Sequence, residues 1–257
     1  MGLEYLRRPV LTAAMNYTEL SPSPEFAGLV KCVWTLSGSS RSDCWIEQQA
    51  TPDGCIEVIQ RLRGRSKWDV EQPPLFVVGL IDRPQAFSFT GDAAFVAIRL
   101  WPWSWSWLSQ TSSAAIDGRW RAAERGDFNL GAEGLATVDG AMTAIEQVFA
   151  AAPPALCAMG KAIVASSTPA GLSRATGLGP RYLQRWFDRH VGMPPKRYFS
   201  LLRFQRAFEQ LPTADSLADQ AAEHGFSDQA HMAREFRRLA RVTATKARKS
   251  ASGPFLS

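Results

Sequence analysis

The chain has 257 residues, enough for two domains, and its 46% hydrophobic and 21% charged content is typical of a soluble globular protein. No apolar run approaches the ~18 residues of a membrane-spanning helix, so a cytoplasmic protein without membrane contact is expected. Residues 1–153 hold 13 Lys+Arg against 17 Asp+Glu, whereas residues 154–257 hold 16 against 7, which suggests that only the C-terminal half meets a polyanion.

Short strands separated by turns are predicted over residues 17–100. In residues 51–62, a Pro-Asp-Gly turn precedes an alternating segment that places Cys55, Glu57 and Ile59 on one face. Four further runs resemble strands: LVKCVWTLSG (29–38), LFVVGL (75–80), QAFSFTG (85–91) and AAFVAIRL (93–100). Regularly spaced short strands predict a small barrel or sandwich.

A tryptophan-rich stretch, WPWSWSWL, follows at 101–108. One interpretation makes Trp101, Trp103, Trp105 and Trp107 a wall of a pocket for an apolar or planar ligand. The other, which we favour, is packing in the core and between domains, since buried tryptophans mostly pack. If Pro102 begins a helix, Trp101 and Trp105 share one face.

Helical periodicity begins beyond this stretch, as in DGAMTAIEQVFAA (139–151). Pro153–Pro154 interrupts the chain, so we predict a β-rich regulatory domain over residues 1–152 and a helical domain over residues 153–257. Residues 1–14 are predicted to be a loose extension before Met15.

The N-terminal half has few residues suited to catalysis or to metal binding. The first histidine is His190, the four cysteines (32, 44, 55 and 157) form no CxxC pair, and there is no Gly-rich phosphate loop. We therefore expect no catalytic residues, no metal and no cofactor, and a domain that binds a molecule rather than transforming it.

The C-terminal half contains an internal repeat with an offset of 49 residues. Leu183, Arg185 and Phe187 align with Met232, Arg234 and Phe236. A short predicted helix precedes each copy and ends at a glycine, Gly177 or Gly225, where a tight turn needs positive φ. Helix, glycine turn and helix form the helix-turn-helix plan, and a long amphipathic segment at 196–211 joins the two copies.

Each second helix divides into an apolar face and a face rich in hydrogen-bond donors. This division suits a helix in the major groove, where Arg grips guanine, Gln grips adenine and further arginines bind phosphate. Ser227 is predicted as the N-cap of the second copy. The candidate DNA-binding residues are Arg181, Gln184, Arg185, Arg189, Gln229, Ala230, His231, Arg234 and Arg238.

The segments YLQRWFDRHVGMPPKRYFSLLRFQRA and LADQAAEHGFSDQAHMAREFRR resemble the DNA-binding domain of the AraC/XylS family of bacterial transcription regulators. The resemblance covers about residues 155–250. It implies an all-α domain with two helix-turn-helix units on a linker helix, with both recognition helices in successive major grooves.

Two departures from the family pattern are visible. Arg241 and Ala244 stand where the first copy has Gly192 and Pro195, so the last helix is expected to dock differently or to fray. Gly179–Pro180 replaces the usual serine cap.

The N-terminal half resembles, less specifically, the sensing domains that precede such DNA-binding domains, through PSPEFAGLVKCVWTL, TPDGCIEVI and VVGLIDRPQAFSFTG. This resemblance implies a cupin-like antiparallel β domain and hence an α+β protein.

Two functional hypotheses remain open from the sequence. The first is a sequence-specific transcription regulator that binds double-stranded DNA and is modulated by a small molecule or by dimerisation through its N-terminal domain. Its further candidate partners are RNA polymerase and a second copy of the chain. The second is an N-terminal enzyme, such as one that transfers an alkyl group to cysteine, joined to a DNA-binding anchor. Such an enzyme needs an activated thiol, and Cys55 lies beside two acidic residues, Asp53 and Glu57.

Overall fold

The computed structural model describes residues 15–41, 43–124, 126–128, 134–211, 216–252 and 255–256. The N-terminal extension predicted at residues 1–14 lies outside these ranges. All described strand pairs are antiparallel. The strands are β1 (Met15–Leu20), β2 (Val30–Gly38), β3 (Trp45–Ala50), β4 (Ile56–Arg63), β5 (Ser66–Trp68), β6 (Val70–Glu71), β7 (Leu75–Val78), β8 (Gln85–Thr90), β9 (Ala94–Leu100), β10 (Trp120–Ala122), β11 (Ala251–Ser252) and β12 (Phe255–Leu256).

The strands form two six-stranded sheets, in the orders β1-β2-β9-β4-β7-β10 and β11-β12-β3-β8-β5-β6. The sheets face each other across a buried cluster to which Leu36 and Phe95 contribute from the first sheet and Phe89 from the second. The fold class inferred from the sequence, an antiparallel β domain followed by a helical domain, is confirmed.

Strand β4 shows how the sheet separates two environments. Glu57 and Ile59 point into a cavity between the sheets, together with Cys55 just before the strand. Ile56 and Val58 point the other way, into a core shared with the helices. The alternation predicted from residues 55–62 is confirmed, and both faces of the strand are covered.

The described residues form nine α-helices. They are α1 (Trp105–Leu108), α2 (Val138–Phe149), α3 (Pro154–Ala165), α4 (Pro169–Thr176), α5 (Pro180–His190), α6 (Pro195–Gln210), α7 (Leu217–Glu223), α8 (Gln229–Ala240) and α9 (Ala244–Ser250). The predicted repeat is confirmed in three dimensions, because α5 and α8 begin 49 residues apart, as do α6 and α9.

The helical half contributes to two separate cores. Leu183 and Phe187 of α5 pack with the N-terminal half of α6 and with residues of β2, β4 and β9 in one core. Met232 and Phe236 of α8 pack with the C-terminal half of α6 in a second core. Helix α6 therefore belongs to both cores. The first core contains side chains from both sides of the predicted domain boundary at residues 152–153.

The tryptophan stretch lies at this junction. Pro102 begins a short 3-10 turn that continues into α1, as the helical alternative predicted. Trp103 and Trp105 are fully buried, and their indole nitrogens donate to the carbonyls of Gly28 (2.6 Å) and Thr111 (2.8 Å). Trp103 and Trp105 therefore pack in the core, in agreement with the packing interpretation.

The aromatic surroundings of the stretch also favour packing. Trp101 stacks on Trp103, which contacts Trp186 of α5 and Tyr198 of α6. None of the four tryptophans lines the cavity between the sheets, although Trp107 borders a surface groove beside α5. A ligand-binding role for the stretch stays a prediction.

The end of the chain returns to the N-terminal domain. Strand β12 pairs with β3, with Phe255 opposite Ala50 and Leu256 opposite Gln49. In the described ranges no single helix is long and apolar enough to cross a membrane, although α2 and α3, bent by 119°, together meet that length and composition.

Candidate nucleic-acid interface

The first recognition helix, α5, is set by its glycine turn and proline start. Gly177 ends α4 in the left-handed conformation (φ 70°), and Pro180 occupies the first turn of α5 after Gly179. Burial of Leu183 and Phe187 then fixes the rotation of the helix about its axis. This rotation leaves the predicted DNA-binding residues Arg181, Gln184, Arg185 and Arg189 exposed.

The second recognition helix, α8, has the same construction with a different cap. The Asp228 side chain accepts from the backbone N–H of His231 at 2.6 Å, so Asp228 is the N-cap and the sequence-based assignment to Ser227 is wrong. Asp and Ser cap equally well, and the helix begins one residue later than predicted. Met232 and Phe236 are fully buried, which turns Gln229, Ala230 and Arg234 to solvent.

Some candidate residues already have partners within the chain. The Gln184 amide donates to Asp188 on the same helix at 2.9 Å. The Arg238 guanidinium donates to Glu235 at 2.9 Å and to Ser200 of α6 at 3.1 Å. His231 is partly buried, and its Nδ1 lies 3.2 Å from the Ser227 hydroxyl.

Four arginines, by contrast, have no side-chain hydrogen bond or ion pair to other described residues. They are Arg181, Arg185 and Arg189 on α5 and Arg234 on α8, and all are exposed. Exposed guanidinium groups whose donors are not used internally are suited to bases and phosphates.

The two units differ where their recognition helices end. Gly192 follows α5 with φ 77°, and its counterpart Arg241 follows α8 with φ 55°. Left-handed φ costs a residue with a Cβ about 1–2 kcal/mol. The turn is nevertheless formed, and α9 begins at Ala244 with Ala244 and Ala247 buried in the second core. The last helix therefore starts in the same register as α6.

Comparison with known families agrees with this geometry. Residues 172–250, which span α4 to α9, match the family model described as a helix-turn-helix domain. The C-terminal region is therefore a helix-turn-helix domain. The N-terminal region matches a second model over residues 18–119, described as a domain of unknown function (DUF6597).

Several solved structures are similar to the chain. A transcriptional regulator from Chromobacterium violaceum, with an AraC-type DNA-binding domain, is 26% identical over 35% of this chain and 79% of its own, with a TM-score of 0.31. ToxT from Vibrio cholerae O395 is 10% identical over 93% of this chain and 98% of its own, with a TM-score of 0.44. ToxT from strain SCE256, solved with an unsaturated fatty acid bound, is 10% identical over 93% and 95%, with a TM-score of 0.40. No curated protein sequence matches the chain.

The N-terminal domain contains a cavity of about 90 Å³ that opens toward solvent between the two sheets. Its walls are mostly aromatic and aliphatic, and Trp34, Trp68, Phe76, Phe87 and Phe95 all contribute to them. The cavity is not predictable from the sequence because β3 and β5, which help to close it, carry weak strand signals.

A buried arginine lies at one end of the cavity. Arg99 forms ion pairs with Glu19 (2.7 Å), Asp53 (2.9 Å) and Glu57 (2.6 Å). Burial raises the pKa of Glu57, against the opposing charge of Arg99. Burial also raises the pKa of the Cys55 thiol, the neighbouring charge of Asp53 adds to the effect, and Cys55 therefore stays protonated.

Proposed function

We propose that the chain is a transcription regulator of the AraC/XylS type and that it reads its operator through α5 and α8. The residues that face bases are Arg181, Gln184, Arg185, Gln229, Ala230 and Arg234. Arg189, His231 and Arg238 face the backbone or the edge of the groove. The observation that carries this assignment is the equivalence of Arg185 and Arg234, which occupy the same position in the repeat, are both exposed and are bound to no described side chain. Each lies opposite the buried face of its helix.

We assign the stronger sequence selectivity to α5. This helix carries three exposed arginines and a glutamine, and Gly192 lets it end without backbone strain. Helix α8 is followed by Arg241 in the left-handed conformation and has one unpaired exposed arginine at a base-facing position, Arg234.

We further propose that residues 1–152 form a regulatory domain that binds a small molecule between its sheets and catalyses no reaction. The protonated, buried thiol of Cys55 argues against the alternative of alkyl transfer to cysteine, because such transfer needs a thiolate. RNA polymerase and a second copy of the chain are proposed as further partners in transcriptional control.

Binding-site selection with the full chain tests the assignment of the recognition helices. Arg185→Ala and Arg234→Ala should each cost about 1–3 kcal/mol on the selected site and relax preference in different halves of a site of about 20 base pairs. Arg119→Ala, which removes an exposed arginine of the N-terminal domain, is the matched control and should change neither affinity nor preference. If both helix variants keep the wild-type preference at every position, the assignment is wrong.

A further inference from the structure

The charges around the cavity do not balance. Arg99 is the one cation among the cavity-lining residues, and Glu19, Asp53 and Glu57 surround its guanidinium. With all four groups ionised the cluster carries a net charge of −2. The next described cation, Lys31, is paired instead with Glu209 of α6 at 3.0 Å.

The individual bonds show where the excess negative charge lies. Glu19 also accepts from the Tyr17 hydroxyl at 2.5 Å, and Asp53 accepts from the backbone N–H of Cys55 at 3.0 Å. Arg99 and the Trp34 indole both donate to the same oxygen of Glu57, Oε1. Among the described residues, Oε2 of Glu57 has no donor, and Glu57 lines the cavity.

An independent observation comes from the second sheet. Ser66 lines the same cavity with 2% of its surface exposed, and its hydroxyl has no hydrogen-bond partner among the residues that the structure describes. A buried hydroxyl without a partner is unfavourable, so a ligand donor that reaches Ser66 would remove a cost already present in the empty site.

We propose that the regulatory ligand of this cavity is a small organic cation, an alkyl or aromatic ammonium compound whose charged nitrogen binds at Glu57 and Ser66. This inference rests on the proposed role of the cavity as the effector site. The aromatic walls suit the ligand in two ways, because Trp34, Trp68 and Phe87 can cover its apolar part and their ring faces attract a cation. A carboxylate ligand would instead add negative charge to a cluster whose net charge is already negative.

The size of the cavity limits what can enter. A cavity of about 90 Å³ is smaller than the ~150 Å³ that admits a benzene ring in an apolar protein core. The ammonium group and a few carbons fit inside, and the rest of a larger ligand would lie toward the open mouth.

Three probes of equal chain length test the charge assignment on the full-length protein: n-butylammonium, butanol and butyrate. Binding is measured by calorimetry at constant ionic strength and by quenching of tryptophan fluorescence, since Trp34 and Trp68 line the cavity. We expect butylammonium to bind about 10-fold or more tightly than either analogue, which corresponds to one hydrogen bond to a charged group.

Substitutions then locate the binding site. Glu57→Gln should weaken butylammonium binding about 10-fold, and Glu47→Gln, which neutralises an exposed carboxylate on β3, should leave it unchanged. Because Glu57 also accepts from Arg99 and Trp34, thermal unfolding of the variant is followed in parallel. Ser66→Ala leaves the charge cluster intact and should weaken butylammonium binding about threefold. This variant tests the site if the Glu57 variant does not fold.

Several results would overturn the inference. Butyrate or butanol binding as tightly as butylammonium would overturn the charge assignment while leaving the cavity as a ligand site. No saturation with any of the three probes would overturn both. A folded Glu57→Gln protein with wild-type affinity would exclude Glu57 as the partner of the cation. Binding-site selection tests the DNA-binding proposal separately.

Discussion

Tyr198→Phe tests the contact between the cavity domain and the linker helix. The Tyr198 hydroxyl donates to the carbonyl of Gly54 at 2.9 Å, and the side chain is fully buried. Gly54 lies between Asp53 and Cys55, both of which line the cavity. One hydrogen bond thus joins the cavity loop to α6, the helix that belongs to both cores.

The expected cost follows from the geometry. The substitution keeps the ring, so its packing against Trp103 and Phe187 is retained, and only the hydroxyl is lost. A buried carbonyl deprived of its donor costs about 1–3 kcal/mol, and we expect the lower part of this range, about 1–2 kcal/mol, in the free energy of unfolding. For a chain of this length, that is a drop of about 2–8 °C in Tm.

Urea unfolding followed by tryptophan fluorescence measures the change. Tyr182→Phe is the matched control, because Tyr182 is 46% exposed and its hydroxyl has no described partner; it should change stability by less than about 0.5 kcal/mol. If Tyr198→Phe also stays within about 0.5 kcal/mol of the wild type, the hydrogen bond to Gly54 does not stabilise the junction.

Three further predictions concern DNA affinity, backbone strain and pH. With about six phosphate contacts, log K should fall with log salt with a slope of about −5, and a slope near zero would show that the basic helices do not bind the backbone. Arg241→Gly should raise the free energy of unfolding by up to about 1 kcal/mol, because glycine adopts the left-handed conformation without strain. The control Arg237→Gly, within α8, should lower the free energy of unfolding by about 1 kcal/mol. Equal effects of the two substitutions would refute the strain argument. Burial lowers the pKa of both His190 and His224, with Arg189 adding to the effect at His190, so the folded state holds fewer protons than the unfolded state. Stability should therefore fall as the pH drops below about 6.5, and His190→Gln should reduce this slope in denaturant titrations at successive pH values.

The DNA-binding half was largely predictable because its signals are local. Apolar residues at helical spacing, the glycines at 177 and 225 and the 49-residue offset identify both units and their exposed faces without any long-range contact. The cap of α8 was misplaced by one residue, since Ser227 and Asp228 are adjacent and both suit the position. Only the backbone conformation distinguishes them.

The N-terminal half was predictable in its strands but not in its cavity and charge cluster. Strands β2, β4, β7, β8 and β9 were identified from their patterns, and the other seven strands were not. For β3, β5 and β10 the reason is that their pairing is decided by distant partners. The charge cluster joins residues from β1, the 51–55 loop, β4 and β9. No pattern within a short segment indicates that Arg99 meets three carboxylates.

The division of α6 between two cores limits how this protein can be taken apart. In a fragment that starts at residue 153, the side chains of α5 and α6 that pack on the N-terminal domain, including Phe187 and Tyr198, would be exposed to solvent. Each buried side chain of this size contributes about 1.5–3 kcal/mol, so the first unit would lose a large part of its support while the second kept its own core. A chimera that transplants only the DNA-binding half onto another sensor must therefore carry a matching apolar surface with it, or α5 will be the first element to lose its fixed orientation.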